Sequence, residues 1–290
     1  MKKIYLIATL VMFGLIGHSQ EISLVDSTYY NALLTSQVDN DYSLIWNNPY
    51  PSENKLDTMK ISFAEPSAFT CGGTLTDTRD GQEYPTVLIG NQCWMAKNLN
   101  IGRMTYLSGS DRGYPGSYDN GIIEKFCYNN DPENCDIYGG LYEWGEMMSY
   151  RKYVKGIYPK GICPEGWHIP TDEEWCTLTS YHDATVKCTP FGRSGTDAGN
   201  KMRATGTTHW FWPNTGATNS RGFTALGAGY CLSTGNFYGL RANATFWSSS
   251  KYGDYPIYRS VLYDYAGVDR STTNWTSGNS VRCLRDKLLY

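Results

Sequence analysis

Nine cysteines in a chain that opens on an export leader constrain this fold more than any other feature of the sequence. Lys2 and Lys3 form a short positive region, Ile4 to Ile16 is almost entirely apolar, and Gly17 and Ser19 offer small residues around a cleavage point before Gln20. The apolar run is too short to span a bilayer comfortably. Residues 1–19 are therefore predicted to be a signal peptide, with an uncleaved anchor as the alternative, and no membrane span is expected in the mature chain. No Cys follows the run, so a lipid anchor is not indicated.

Export places the chain in an oxidising compartment, where pairing is the default. The cysteines are Cys71, Cys93, Cys127, Cys135, Cys163, Cys176, Cys188, Cys231 and Cys283. An odd count leaves at least one thiol over, or paired between chains. No Cys-x-x-Cys and no Cys/His cluster with zinc spacing occurs, which argues against a structural zinc site. Proximity suggests Cys71–Cys93, Cys127–Cys135 and Cys176–Cys188; the residues alone leave the pairing of Cys163, Cys231 and Cys283 open.

Thirty Gly and 12 Pro exclude a coiled coil or long helical bundle, while 24 Tyr and 41% hydrophobic residues exclude a disordered chain. A formal charge of −3 without a basic stripe makes a nucleic-acid partner a poor fit. Residues 20–66 are polar, lack a clean period and are broken by Asn47-Asn48-Pro49, Pro51 and Pro66. They read as an N-terminal arm or linker, strapped down by Trp46 or Phe63.

From Cys71 the texture changes. Two β-rich runs, Glu83 to Ile89 and Gln92 to Ala96, flank the turn signal Gly90-Asn91 and predict a hairpin. Residues 102–136 read as a long ordered loop, and Tyr138 to Tyr150 as a short amphipathic helix carrying Leu141, Trp144 and Met148. In Thr171-Asp172-Glu173-Glu174 the threonine and the glutamate three residues on can form a capping box, starting a helix that runs to about His182. A second helix is expected at 197–204 with Thr196 as its cap. Beyond 205 the chain is turn-dense, with strands expected at 223–230, 245–249, 255–263, 267–270 and 281–285. Helices followed by a β-rich half indicate α+β.

Several segments resemble the Fibrobacter succinogenes major paralogous domain family of exported bacterial proteins. They are Asp80-Gly81-Gln82-Glu83-Tyr84-Pro85-Thr86-Val87-Leu88-Ile89-Gly90-Asn91-Gln92-Cys93-Trp94-Met95-Ala96-Lys97-Asn98-Leu99, Tyr138-Gly139-Gly140-Leu141-Tyr142-Glu143-Trp144, Gly161-Ile162-Cys163-Pro164-Glu165-Gly166-Trp167-His168-Ile169-Pro170-Thr171-Asp172-Glu173-Glu174-Trp175, Phe246-Trp247-Ser248-Ser249-Ser250 and Asn279-Ser280-Val281-Arg282-Cys283-Leu284-Arg285-Asp286. Their order and spacing match the family over about 71–286, so 67–290 is expected to be one such domain. The resemblance implies a C-type-lectin-like fold, related in shape to formylglycine-generating enzymes: two main helices and a twisted antiparallel sheet, stapled by disulfides. It also implies a long-range bridge between the first helix region and the last strand, which suits Cys163–Cys283 and leaves Cys231 over.

Catalytic constellations are missing from the sequence. There is no Gly-x-Ser-x-Gly elbow and no His-Glu-x-x-His. His168 and His182 are expected to be structural. Formylglycine-generating enzymes hold copper with a cysteine pair, and here only Cys231 would remain. Asp131, Glu133, Asn134 and Asp136 gather oxygens in one short segment, so calcium is the one cofactor considered, against the plainer reading of a solvated turn. Trp94, Trp144, Trp167, Trp175 and Trp247 are expected in the core. Trp210 and Trp212, with Tyr238, Tyr252 and Tyr255, lie in turn-rich stretches, as does Tyr258, and the first five are the candidate ligand-binding residues, since sugar rings and protein partners both use flat aromatic faces; for the 210–212 cluster a core plug is the equal alternative. The expected function is a secreted or cell-surface, non-catalytic module that binds an extracellular glycan or surface protein through loops 205–220 and 236–258. A structural adhesion component and an enzyme of unknown reaction are the alternatives.

Overall fold

The computed structural model describes residues 69–105, 119–151 and 159–286, together with strand backbones at 20–22, 32–36, 41–46 and 57–62. The chain divides into two compact units, Met1–Phe69 and Thr70–Tyr290. Residues 1–19, Phe63 and residues 106–118 of the expected loop lie outside the described residues, as does the side chain of Trp46.

The first unit corrects the expectation of an irregular arm. It holds β1 (Gln20–Ile22), β2 (Ala32–Ser36), β3 (Asp41–Trp46) and β4 (Asp57–Ser62), an antiparallel sheet in sequence order. Leu33 pairs with Ile45, and Leu44 with Met59. The prolines that suggested irregularity lie between strands, where a residue without an N–H does no harm to the ladder.

The second unit begins with β5 (Thr74–Thr76), β6 (Glu83–Ile89) and β7 (Gln92–Met95). The expected β6–β7 hairpin forms, turning at Gly90 with φ +62°. β8 (Arg103–Met104) and β9 (Glu124–Lys125) make a small parallel pair. Within the expected loop the structure places α1 (Pro132–Tyr138), capped by Asp131, whose carboxylate accepts from the Glu133 amide. Its Pro132 marks a helix start rather than a turn, because the first helical position needs no N–H.

The helix expected from Tyr138 begins instead as β10 (Leu141–Glu143), and only α2 (Trp144–Met147) is helical. Gly139, with φ +82°, and Gly140 break the approach, and β10 is claimed by a strand partner. β11 (Trp167–His168) then leads to α3 (Asp172–His182), whose capping box has both halves present. β12 (Gly192–Ser194) precedes α4 (Ala198–Met202). Asp197, not Thr196, occupies the cap position of α4, and the amides of both residues donate to the Asp183 carboxylate.

The C-terminal half supplies β13 (Ala228–Cys231), β14 (Phe237–Leu240), β15 (Asn243–Tyr252), β16 (Tyr255–Leu262), β17 (Val268–Thr272), β18 (Gly278–Ser280) and β19 (Leu284–Arg285). The main sheet runs β10-β18-β13-β15-β16-β17-β12, with β14 paired to β13. A smaller sheet runs β11-β19-β7-β6-β5, so the first and last strands of this unit belong to one sheet. The architecture is a mixed, sheet-rich fold with few helices.

The core gathers Trp94, Trp175, Phe223 and Phe246, with Trp175 stacked on Phe246 at 5.3 Å between centroids. Beside it Arg282 is fully buried, without a carboxylate partner among the described residues. Its guanidinium donates to Asn98 Oδ1 and to the carbonyls of Met95, Phe223 and Thr224, and lies over the Phe223 ring. Burial holds its pKa down to about 9. Cys71–Cys93, Cys127–Cys135, Cys163–Cys283 and Cys176–Cys188 all form disulfides, and Cys231 is buried outside them. Cys163–Cys283 bridges 120 positions of sequence and anchors the chain just before β19.

Candidate ligand-binding groove

Strand alternation gives the main sheet two unlike faces. Ala244 and Phe246 of β15, Val261 of β16 and Val268 of β17 enter the hydrophobic core beside α3. Arg259 of β16 and Arg270 of β17 share that phase, and both bind Asp172 at the start of α3. The intervening residues belong to the opposite face. Thr245 is directly opposite Ser260, and Ser260 is directly opposite Asp269, so a polar row crosses three strands.

This row floors a groove of about 300 Å³, at the small end of the size range of ligand clefts. Tyr230 from β13 and Tyr258 from β16 line it, and Ser277 and Asn279 contribute from the β18 side. Tyr238 stacks on Tyr230 at 6.0 Å between centroids.

Two groups that line the groove make no side-chain bond to other described residues. Asn279 is 3% exposed, and its Nδ2 amino group has no hydrogen-bond partner. A buried donor left in that state costs free energy, and such groups mark places where water or a ligand completes the bonding. Asp269 makes no side-chain hydrogen bond or ion pair with another described residue. Burial raises its pKa, and this outweighs the opposing attraction of Arg193 and Arg259. Burial likewise raises the Tyr258 phenol. Thr245, by contrast, is satisfied by donating to the Gly229 carbonyl. The groove therefore presents acceptors, amide donors, hydroxyls and tyrosine rings together, without a nucleophile–base pair.

The aromatic residues singled out from the sequence fare differently. Trp210 takes the core-plug alternative and not the ligand-binding one: it is fully buried, its indole N–H donating to the Ala225 carbonyl, so it cannot face a ligand. The sequence around it looked irregular, but the chain turns inward there to plug the core. Trp212 is 81% exposed, and Tyr252 and Tyr255 are also exposed, as a cross-strand pair at the far end of the β15–β16 hairpin. None of these three lines the groove; only Tyr238 borders it, through Tyr230. The five tryptophans expected in the core are all buried.

The four calcium candidates fall on and beside α1, not in a loop. Asp131 is occupied capping α1, and the Asn134 amide donates to the Tyr128 carbonyl. Glu133 and Asp136 are exposed on that short helix. Among the described residues no group of three or more His, Cys, Asp or Glu side chains is arranged to hold a metal.

His168 is buried between two carboxylates, with Nδ1 2.6 Å from Asp286 and Nε2 3.2 Å from Glu174. Burial alone would lower its pKa, but the bonds to Asp286 and Glu174 outweigh it and raise the value. His182 is the reverse case. Burial, together with Arg221 and Lys201, lowers it to about 4, and both ring nitrogens lack partners. His168 clasps the α3 cap to the end of the chain, and His182 is a neutral core residue.

The family profile described as the Fibrobacter succinogenes major domain matches residues 87–285. The chain belongs to this family. Neither a curated protein nor a solved structure gives a significant match. The region matched to the Fibrobacter succinogenes major domain contains the whole groove, the His168 and Glu174 part of the clasp and three of the four disulfides.

Of the groove residues only Tyr258 stands out among the aromatics near turns in the sequence; most of the others are polar residues that no aromatic cluster marks. The signal was present in strand phase: polar residues at 243, 245, 258, 260 and 269 alternate with core residues at 244, 246, 257, 261 and 268.

Proposed function

We propose that this is an exported, non-catalytic binding module that takes a polyhydroxylated ligand, a glycan, in the groove on the open face of its main sheet. The observation that carries this reading is the buried, unpartnered amino group of Asn279, a residue lining a cleft with tyrosines and hydroxyls. Sugars satisfy such groups well, since each ring offers hydroxyls that both donate and accept, and an apolar face that packs on aromatic rings. Four disulfides support export, and no described helix is long and apolar enough to cross a membrane. The Cys163–Cys283 bridge supports a C-type-lectin-like variant as the architecture, with a sheet-face groove as its binding surface.

A glycan array probed with the full mature chain tests the reading, with Asn279→Ala as the control. Retention on a subset of glycans that falls at least tenfold in the variant, at unchanged melting temperature, is the expected result. Retention that ignores the substitution, or none at all, overturns it. Adhesion through the separate N-terminal sheet is the second reading, favoured by the compactness of that unit. Light scattering of the chain with and without residues 20–66 tests it, since self-association should disappear with the deletion.

A further inference from the structure

Resting on the reading of the groove as a glycan site, we infer that Asp269 selects the ligand: it grips two adjacent hydroxyls of a neutral sugar ring and turns away sugars that carry a carboxylate. Asp269 is the single carboxylate among the residues that line the groove. It sits in register between Ser260 on β16 and Arg193 on β12. Arg193 does not form a salt bridge with it, and its guanidinium instead lies 4.9 Å from the centre of the Tyr265 ring. Arg259, the other cation acting on Asp269, is turned to the opposite face and held by Asp172. Both of its nearby positive charges are thus engaged elsewhere, and the carboxylate is left as an acceptor without a donor.

An ionised carboxylate has two oxygens and accepts only. The chemistry that satisfies both at once without introducing charge is a pair of neighbouring hydroxyls. Bonds from such donors to a charged acceptor are stronger than neutral ones, and strength of that kind is what discriminates between close analogues. Ser260 and Thr245, next along the row, can meet further hydroxyls of the same ring, and Asn279 Nδ2 can donate to a ring or hydroxyl oxygen. A uronic acid brings a second negative charge into a partly desolvated cleft beside Asp269, where like-charge contact is strongly unfavourable. A free amine would also be drawn to Asp269, but it would leave the row of neutral hydroxyl and amide groups unused.

Calorimetric titration of the full mature chain with methyl glycosides of neutral hexoses, a hexuronate and a hexosamine distinguishes these outcomes. The expected result is that a neutral glycoside binds and the hexuronate binds at least tenfold more weakly. Asp269→Asn should then lose at least tenfold in affinity for the neutral glycoside, while its melting temperature stays equal or rises, because the substitution removes a charge disfavoured by burial. Equal binding of hexuronate and neutral hexose overturns the inference while leaving the groove reading intact, provided Asn279→Ala still weakens both. So does an unaltered affinity in Asp269→Asn. A hexosamine that binds more than tenfold tighter than the neutral hexose overturns it too, since recognition would then be an ion pair. Failure of every sugar to bind overturns the glycan reading itself.

Discussion

Replacing Asp172 should unfasten the main sheet from α3. The Asp172 side chain is 16% exposed and serves two guanidiniums that are more deeply buried, Arg259 at 3% and Arg270 at 9%. Its Oδ1 accepts from Arg259 Nε at 2.8 Å, and its Oδ2 from Arg270 Nε at 2.8 Å. Carbonyls at Cys188 and Thr189 hold one further N–H of each arginine and survive the substitution. Removing one partner of a buried ion pair costs roughly 3–5 kcal/mol, because the charge left behind is uncompensated. Two arginines are stranded here, but each keeps a carbonyl, so about 4 kcal/mol is expected for Asp172→Ala. Asp172→Asn retains one acceptor and should cost about half of that, near the ~1.5–3 kcal/mol of a single hydrogen bond to a charged group. Urea unfolding with disulfides intact measures both. Glu173→Ala, one residue along and exposed, is the control and should stay within about 0.5 kcal/mol. A double variant, Asp172→Ala with Arg270→Ala, should be less destabilised than the sum of its singles by about 1–3 kcal/mol. If Asp172→Ala costs no more than Glu173→Ala, water reaches the guanidiniums and the idea of a buried fastening fails.

Two further outcomes follow from the same structure. The His168 pKa is raised and that of Glu174 lowered, so the clasp is strongest below the first and above the second. Its His168 contribution is fully present below the ordinary histidine value of about 6.5 and is lost as pH rises through the raised folded value. His168→Gln should therefore cost roughly 1–2 kcal/mol in urea unfolding at pH 6, after allowing for the half-exposed Asp286, and clearly less at pH 9; an equal cost at both pH values would refute a charged clasp. Disulfide deletions should rank by the loop each closes, with separations of 120 for Cys163–Cys283 and 8 for Cys127–Cys135. The chain-entropy relation gives about 5 and about 2.5 kcal/mol respectively, so paired Cys→Ala variants that reverse this order in denaturant midpoint would show that native packing, not loop closure, governs the effect.

What could be read from the sequence was whatever depends on neighbours a few positions apart. The α3 capping box spans three residues, the β6–β7 hairpin turns at Gly90-Asn91, and both appear as expected. Cysteine proximity found the three local bridges, while the fourth needed a family resemblance, because nothing local points from Cys163 to Cys283. Elements misread were those whose local signal is overruled by a distant partner: Leu141–Glu143 looks helical until β18 pairs with it. Trp210 shows the same limit for function, since an aromatic in a stretch of glycines and threonines reads equally as core plug or exposed surface until the core that surrounds it is assembled. The groove is the extreme case. Its residues come from β13, β15, β16, β17 and the β18 side, each contributing polar side chains of ordinary appearance, and only the sheet order β18-β13-β15-β16-β17 makes them neighbours. Yet the requirement that one phase of β15 and β16 be apolar is itself local. Once Ala244, Phe246 and Val261 are assigned to the core, the phase holding Asn243, Thr245, Tyr258 and Ser260 must lie on the other face. A polar phase of that kind is unremarkable if it faces water freely, and it carries meaning here because Thr245, Ser260 and Asn279 are at least nine-tenths buried. Buried polarity on the open face of a sheet is thus the physical mark by which a ligand site of this kind can be sought in other members of the family.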